Sequence, residues 1–326
     1  MDGLTLLREL RMLLSESSSS SWPDVKNSYD FLFQAAIATE ERAHFQTAEQ
    51  QISTVANQRN YRLSYQFLSL YLKDNQNRYF IKYNDGSGGG DLWVPGDDSF
   101  IFMSSMDAIT LANQTESVPI PYSFAIRDRT PDTRKSAAAS STEALTEPYT
   151  IFGQSLGEAL LKDSDVNFSE IYPGDIVHNL TDLSHGIVIA PGADTYVNCA
   201  IFDGTNNKFT SGDGYLINPQ AYYELYLDPP PKYSQNLITI YYIRKPIPVY
   251  SAYRSYAFPF GYSSCLSNYA AWLYKYRDRE PNFGDAFYKY WDLKTRTLKE
   301  SVNRSKVRRD FGVNMMRRAD RSWTFR

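Results

Sequence analysis

The sequence predicts an α+β protein: a helical bundle core built from N-terminal and C-terminal helix pairs, a β layer, and an inserted all-β domain of barrel or sandwich type. Three observations lead there. From Tyr262 to Val302, Cys265/Leu266, Tyr269/Ala270, Leu273 and Tyr276, then Phe283, Ala286/Phe287, Tyr290/Trp291, Leu293, Leu298 and Val302, recur at helical spacing. Near the other end, Leu4, Leu7, Leu10 and Leu14, then Val25, Tyr29, Leu32/Phe33 and Ala36/Ile37, give a second helical pair. Between them, residues 167–218 carry turn signals at short intervals, separated by short apolar runs. The two helical stripes are too wide to be left in water, so the two pairs are expected to cover each other.

The closing pair is divided at Arg279-Glu280-Pro281, where Pro281 stops the first helix and suits the first turn of the second. In the opening pair, the serine run 15–21 links two helices. Ser21-Trp22-Pro23-Asp24 starts the second with a capping serine and a proline in the first turn. From Gln46 the period shortens: Ile52 to Val55, Tyr61 to Leu63, Phe67 to Leu72, Phe100 to Phe102 and Tyr122 to Ile126 read as strands. Residues 128–148 are polar and small, a linker or mobile loop. Tyr222 to Leu227 and the apolar Leu237 to Arg244 are further strands, stopped by Pro229 to Pro231 and by Pro246 and Pro248. The expected organisation is a helical core with β layer over 1–127 and 219–303, a linker over 128–160, an inserted β-domain over 161–218 and a basic extension over 304–326.

Composition narrows the function classes. With 326 residues, 42% hydrophobic content and 26 tyrosines, the chain has ample material for a folded, strand-containing core and is not a disordered protein. Two cysteines, Cys199 and Cys265, placed in different layers, argue against a disulfide framework and for a reducing compartment. The N-terminus reads as an amphipathic helix and not as a signal peptide, and no apolar run approaches the ~18 residues of a membrane span. The net charge of −3 is unevenly placed: residues 301–326 hold eight basic side chains against two acids. That is +6 in the last 26 residues and −9 in the remainder, an acidic body with a basic address.

The materials for catalysis are thin, and the chain reads as a non-enzyme without cofactor. His178 and His185 stand seven residues apart around a turn, a spacing that suits neither a helix nor a single strand face for metal binding. Asp203-Gly204-Thr205-Asn206-Asn207 resembles a calcium loop, but Lys208 occupies the glycine position and the twelfth position lacks Glu, so a hairpin turn is expected. Gly86 to Gly90 lacks the Lys-Ser/Thr of a phosphate loop. The basic tail mixes Arg304, Lys306, Arg308, Arg309, Arg317, Arg318 and Arg321 with Phe311, Met315, Met316, Trp323 and Phe325. A purely phosphate-binding arm would not need those apolar groups, so the mixture points to docking in a protein groove.

The order of parts resembles the head-to-tail adaptor (connector, or head-completion) proteins of tailed bacteriophages. The resemblance runs through Trp22-Pro23-Asp24, the stretch Ile52-Ser53-Thr54-Val55-Ala56-Asn57-Gln58-Arg59-Asn60-Tyr61-Arg62-Leu63, the strand Tyr223 to Pro230, the Tyr241-Tyr242 strand and two closing helices. The insert is similar to a β-module of many phage structural proteins, in Pro173-Gly174-Asp175-Ile176-Val177, Thr181-Asp182-Leu183-Ser184 and the closing Gly212-Asp213-Gly214-Tyr215. Leu183 stands where that module usually carries Gly.

The resemblance implies a structural protein of the virion neck, assembled in the host cytoplasm. It implies a homododecameric ring beneath the portal protein, with genomic DNA passing through its centre without sequence-specific contact. Stopper, tail-terminator or tail proteins would bind the other face, with no membrane partner. Portal docking would fall to Arg308, Arg309, Phe311, Met315, Met316, Arg317, Arg318, Arg321, Trp323 and Phe325 of the extension. The competing expectation is a tail or baseplate binding module that uses the inserted β-domain for a receptor or glycan.

Overall fold

A computed structural model describes residues 2–14, 25–71, 79–84, 86, 92–96, 117–129, 135–138, 141–144, 149–151, 154–248, 250, 258, 263–277, 282 and 284–301. The chain divides into two compact units, one formed by residues 1–46 with 251–326 and the other by residues 47–250. Helices α1 (Gly3–Leu13), α2 (Val25–Ala43), α3 (Ser264–Arg277) and α4 (284–301) lie in the first. The second holds the strands β1 (Thr47–Ser53), β2 (Asn60–Arg62), β3 (Phe67–Leu70), β4 (Phe80–Asn84), β5 (Leu92–Pro95) and β6 (Ser123–Arg129). They are followed by β7 (Lys135–Ala138), β8 (Ser141–Ala144), β9 (Tyr149–Ile151), β10 (Gln154–Lys162), β11 (Ile176–Asn179) and β12 (Ser184–Val188). The last four are β13 (Tyr196–Phe202), β14 (Gly214–Asn218), β15 (Tyr222–Asp228) and β16 (Leu237–Arg244).

This corrects the expected fold class. The protein is mostly β, in three antiparallel sheets, and a helical bundle is not its core. The helical stripes do find each other: α3 packs on α1 and α2 within one unit. The sheets, however, bury apolar cores of their own and need no helical layer beneath them. Sequence periodicity identifies a face that must be covered but not how much of the chain shares that cover.

In the helical unit, Asp2 caps α1 by accepting from the Thr5 amide at 2.7 Å, and Leu6, Leu7 and Leu10 turn inward. Ser267 of α3 donates to Glu9 of α1 at 2.9 Å. The expected faces of α3 and α4 hold in part: Cys265, Leu266, Ala270, Trp291 and Leu298 are buried, but other large residues of the two stripes are not. On α3 the covered side includes Ser267, Asn268, Ala271 and Tyr274, while Tyr276 is 65% exposed. On α4 the covered seam is Gly284, Trp291, Thr295 and Leu298, and Leu293 is 64% exposed. Trp291 fixes the seam: its indole N–H donates to Thr39 at 2.9 Å, its ring meets Tyr269 and Tyr288, and the Arg42 guanidinium lies over it. Arg42 also pairs with Asp292.

In the β unit, β16 is the central strand of a five-stranded sheet, with β1 along one edge and β3 and β4 along the other; β5 extends β4. A three-stranded sheet, β2-β15-β6, shares its core with this one through Tyr61, Phe124, Ile126, Leu225 and Leu227 against Ile81, Tyr83, Ile238 and Ile240. The eight-stranded sheet, order β7-β14-β11-β12-β13-β10-β8 with β9 also on β10, encloses a separate core around Phe168, Val177, Val197, Cys199, Phe209 and Tyr215. Its strands β7 to β10 lie in the stretch expected as linker, so most of residues 135–162 is paired backbone. Ladder hydrogen bonds do not require large apolar side chains, so a stretch poor in them can still be strand.

Candidate functional site

The three aspartates of the β-module motifs face backbone, and this accounts for the motifs. Asp175 accepts from the Tyr172 and Gln220 amides at 2.9 and 2.8 Å. Asp213 accepts from the Thr210 amide at 2.7 Å and from the Asn179 side chain at 3.0 Å. Asp182 accepts from three consecutive amides, Thr205, Asn206 and Asn207, at 3.1, 2.9 and 3.0 Å. The 203–207 loop therefore turns N–H groups toward a carboxylate, the polarity opposite to a cation-binding loop. Tyr215 donates to the buried Asp163 at 2.8 Å, and that contact together with burial raises the phenol pKa. These carboxylates hold turns and are not aimed at a ligand.

His178 and His185, expected in a turn, are instead strand residues directly opposite each other on β11 and β12, with ring centroids 6.4 Å apart. Residues 180–183 make the connecting loop, which brings positions seven apart into register. His185 Nε2 lies 3.2 Å from Asp203 Oδ2. Among the described residues, no group of three or more His, Cys, Asp or Glu is placed to hold a metal. Both cysteines are buried thiols, and burial raises the Cys265 pKa to about 11. Among the described residues, no helix is long and apolar enough to cross a membrane. The portal-docking residues expected on the extension, Arg308 to Phe325, lie outside the described residues.

The concave site of the β unit went unread in the sequence. A cleft of about 250 Å³ opens among Arg62, Tyr65, Asp128, Glu170, Tyr172, Tyr222, Tyr223 and Lys245. Its geometry begins with strand alternation: on β2, Tyr61 points into the core, so Arg62 must point out. In register beside Arg62 stands Glu224 of β15. That carboxylate is already taken by Arg127 of β6, whose Nε and Nη2 reach Oε2 at 3.1 and 2.8 Å. Arg62 is held by aromatic rings instead: its guanidinium carbon lies 4.3 Å from the centroid of Tyr222 and 4.8 Å from that of Tyr172. Tyr65 stacks on Tyr172 at 5.0 Å and 18°.

Lys245 Nζ donates to Gln220 Oε1 at 3.3 Å in the same cleft; burial lowers its pKa and the Asp175 charge partly restores it. Burial raises the pKa of Asp175 against the pull of its two amide donors and of Arg62 and Lys245. No short-range sequence signal marks this site, because its residues come from five separate segments. Comparison with protein-family models and with characterised proteins returns no match for the chain.

Proposed function

We propose that this protein is a structural head-to-tail adaptor of a tailed phage. It would form a ring that joins portal to tail or stopper proteins, with the genome passing through. The observation that carries this reading is the helical unit, which gathers both ends of the chain and is followed in sequence by the basic, aromatic extension. Its last helix presents Ala286, Tyr290, Leu293 and Thr297 outward at four-, three- and four-residue spacing. A stripe that combines the apolar Ala286 and Leu293 with the polar-tipped Tyr290 and Thr297 suits burial against a neighbouring copy in a ring.

The extension would dock by placing Trp323, Phe325, Met315, Met316 and Phe311 in apolar pockets of the portal, with Arg308, Arg309, Arg317, Arg318 and Arg321 on carboxylates. An anchor of that kind typically contributes ~2 kcal/mol or more, whereas an exposed ion pair contributes ~0–1 kcal/mol. Repetition around a ring multiplies weak docking through effective concentration.

Two measurements test the reading. The purified chain should run as a large cyclic species in native mass spectrometry, alone or with portal. Deleting residues 311–326 should leave the chain folded and abolish its attachment to portal-bearing heads. Normal occupancy of the truncated chain on heads would refute the docking role. A monomer or trimer that ignores portal would instead favour the receptor-binding alternative.

A further inference from the structure

Sheet register brings together two of the three histidines in the chain. On β11 and β12, His178 and His185 are direct partners across the antiparallel ladder. Their row continues to Leu216 of β14 on one side and to Phe202 of β13 on the other, so the two imidazoles are the polar centre of an apolar row. Alternation fixes the direction: Val177 belongs to the core of the β-module, so His178 beside it faces out, and His185 faces out with it. Both residues are part-exposed, and 40% of the His185 side chain is open to water. The rings stand 6.4 Å apart between centroids and are tilted by 32°.

The two rings are differently held. Asp203 Oδ2 lies 3.2 Å from His185 Nε2. A carboxylate in that place settles the tautomer, with the proton on Nε2 and the lone pair on the other nitrogen. It also raises the basicity of the ring, which is the arrangement that stands behind metal-ligating histidines. His178 makes no hydrogen bond and no ion pair among the described residues. Burial, and then the neighbouring His185, hold its pKa below the ordinary value, so at pH 7 this ring is neutral and keeps a lone pair to give.

The chemistry of a ligand follows from two such nitrogens. Imidazole suits Cu²⁺, Ni²⁺ and Zn²⁺, whereas Mg²⁺ and Ca²⁺ seek oxygen. Opposed residues on neighbouring strands carry Cβ atoms ~4.5–5.5 Å apart, a span that two imidazoles can close on one ion at metal–nitrogen distances of ~2.0–2.1 Å. Among the described residues no group of three or more ligands surrounds the pair, so the imidazoles make a clip and not a closed cage. The remaining coordination positions of an ion held there fall to water.

We propose that His178 and His185 form a two-histidine site for a divalent transition-metal ion, with Asp203 as the positioning residue behind His185. The proposal does not depend on the adaptor reading.

The test adds Cu²⁺, Ni²⁺ and Zn²⁺ separately to the full chain, prepared without a polyhistidine tag, and follows the imidazole nitrogens by NMR. Zn²⁺ should shift the ring signals of His178 and His185, and Cu²⁺ or Ni²⁺ should broaden them, while those of His44 stay in place. Cu²⁺ should bind more tightly than Ni²⁺ or Zn²⁺, and Mg²⁺ and Ca²⁺ should leave the rings unchanged. His178→Gln and His185→Gln should each weaken Cu²⁺ binding at least about tenfold, with the circular dichroism of the metal-free variants unchanged. Asp203→Asn should weaken it about tenfold. In the metal-free chain the same variant should move the nitrogen shifts of His185 and leave those of His178. Ring signals indifferent to all three transition ions, or Cu²⁺ affinity untouched by both glutamine variants, would overturn the proposal. Parental affinity in Asp203→Asn would overturn the role of Asp203.

Discussion

The helical unit and the eight-stranded β-module hold themselves together by different means. In the helical unit, cohesion runs from side chain to side chain: Trp272, Tyr269, Tyr288 and Trp291 form a chain of ring contacts between α3 and α4, with centroids 4.6 to 5.3 Å apart. In the β-module it runs from side chain to backbone: Asp175, Asp182 and Asp213 each hold turn amides that would otherwise be left to water. The first kind depends on shape and apolar area, the second on the placement of a single charge. A unit of the first kind fails by losing volume, and one of the second by losing a turn.

The sharpest way to break this contrast is Trp291→Ala. Trp291 is 4% exposed and keeps a hydrogen bond to Thr39, so truncation should cost ~3–5 kcal/mol. In calorimetry the transition of the helical unit should move to lower temperature while that of the β unit stays. A single transition that moves as a whole would show that the units melt together and that the contrast carries no thermodynamic meaning.

Asp182→Ala should cost less, about 2 kcal/mol, because it removes the acceptor for three amides at a loop that water can partly reach. Hydrogen exchange should accelerate at Thr205, Asn206 and Asn207 and stay unchanged in β13. Unchanged exchange at those amides would mean the loop is held by something other than the carboxylate.

Leu183 provides a change of opposite sign. It sits at φ 59°, in the left-handed region, and is 79% exposed, so its backbone is strained while its side chain gains nothing from burial. Leu183→Gly should stabilise the β-module by about 1 kcal/mol, read as a raised denaturation midpoint. A lowered midpoint would show that the leucine is covered in the folded protein.

The smallest effect concerns pH. Burial, and then the neighbouring His185, hold the His178 pKa below its ordinary value of 6.5. The unfolded chain therefore binds this proton more readily than the folded one. The contribution of His178 to stability is complete above about 6.5 and is lost as pH falls through the lower folded value. The melting temperature of the β unit should decline between about pH 7 and pH 5, and His178→Gln should flatten that decline. An identical slope in the variant would move the origin to other groups.

Much of the backbone was legible in advance. The strand Leu237–Arg244 lies where its apolar run placed it, and β15 begins at Tyr222 as its pattern predicts. Turn chemistry marked the hairpins of the eight-stranded sheet. The strands β7 and β8 were not legible, since a run of Ser, Thr and Ala carries no period that separates an edge strand from a loop. The cleft was illegible for another reason: Arg62 is one exposed residue on a three-residue strand, unremarkable until β15 supplies Tyr222 and the loop before β11 supplies Tyr172.

By itself the sequence determined which segments are helical, where strands such as Tyr196–Phe202 and Leu237–Arg244 lie, and that a strongly basic segment follows an acidic body. Those are local matters of side-chain period, turn residues and charge, readable within a dozen positions. Only the tertiary structure decided that the sheets, and not the helices, hold the larger part of the chain, and that Leu293 and Tyr276 face outward. It alone decided that Glu224 spends its carboxylate on Arg127 and leaves Arg62 between two tyrosines. Each of these depends on which distant surfaces meet, and the free energy of that meeting belongs to pairs of segments and to neither one alone.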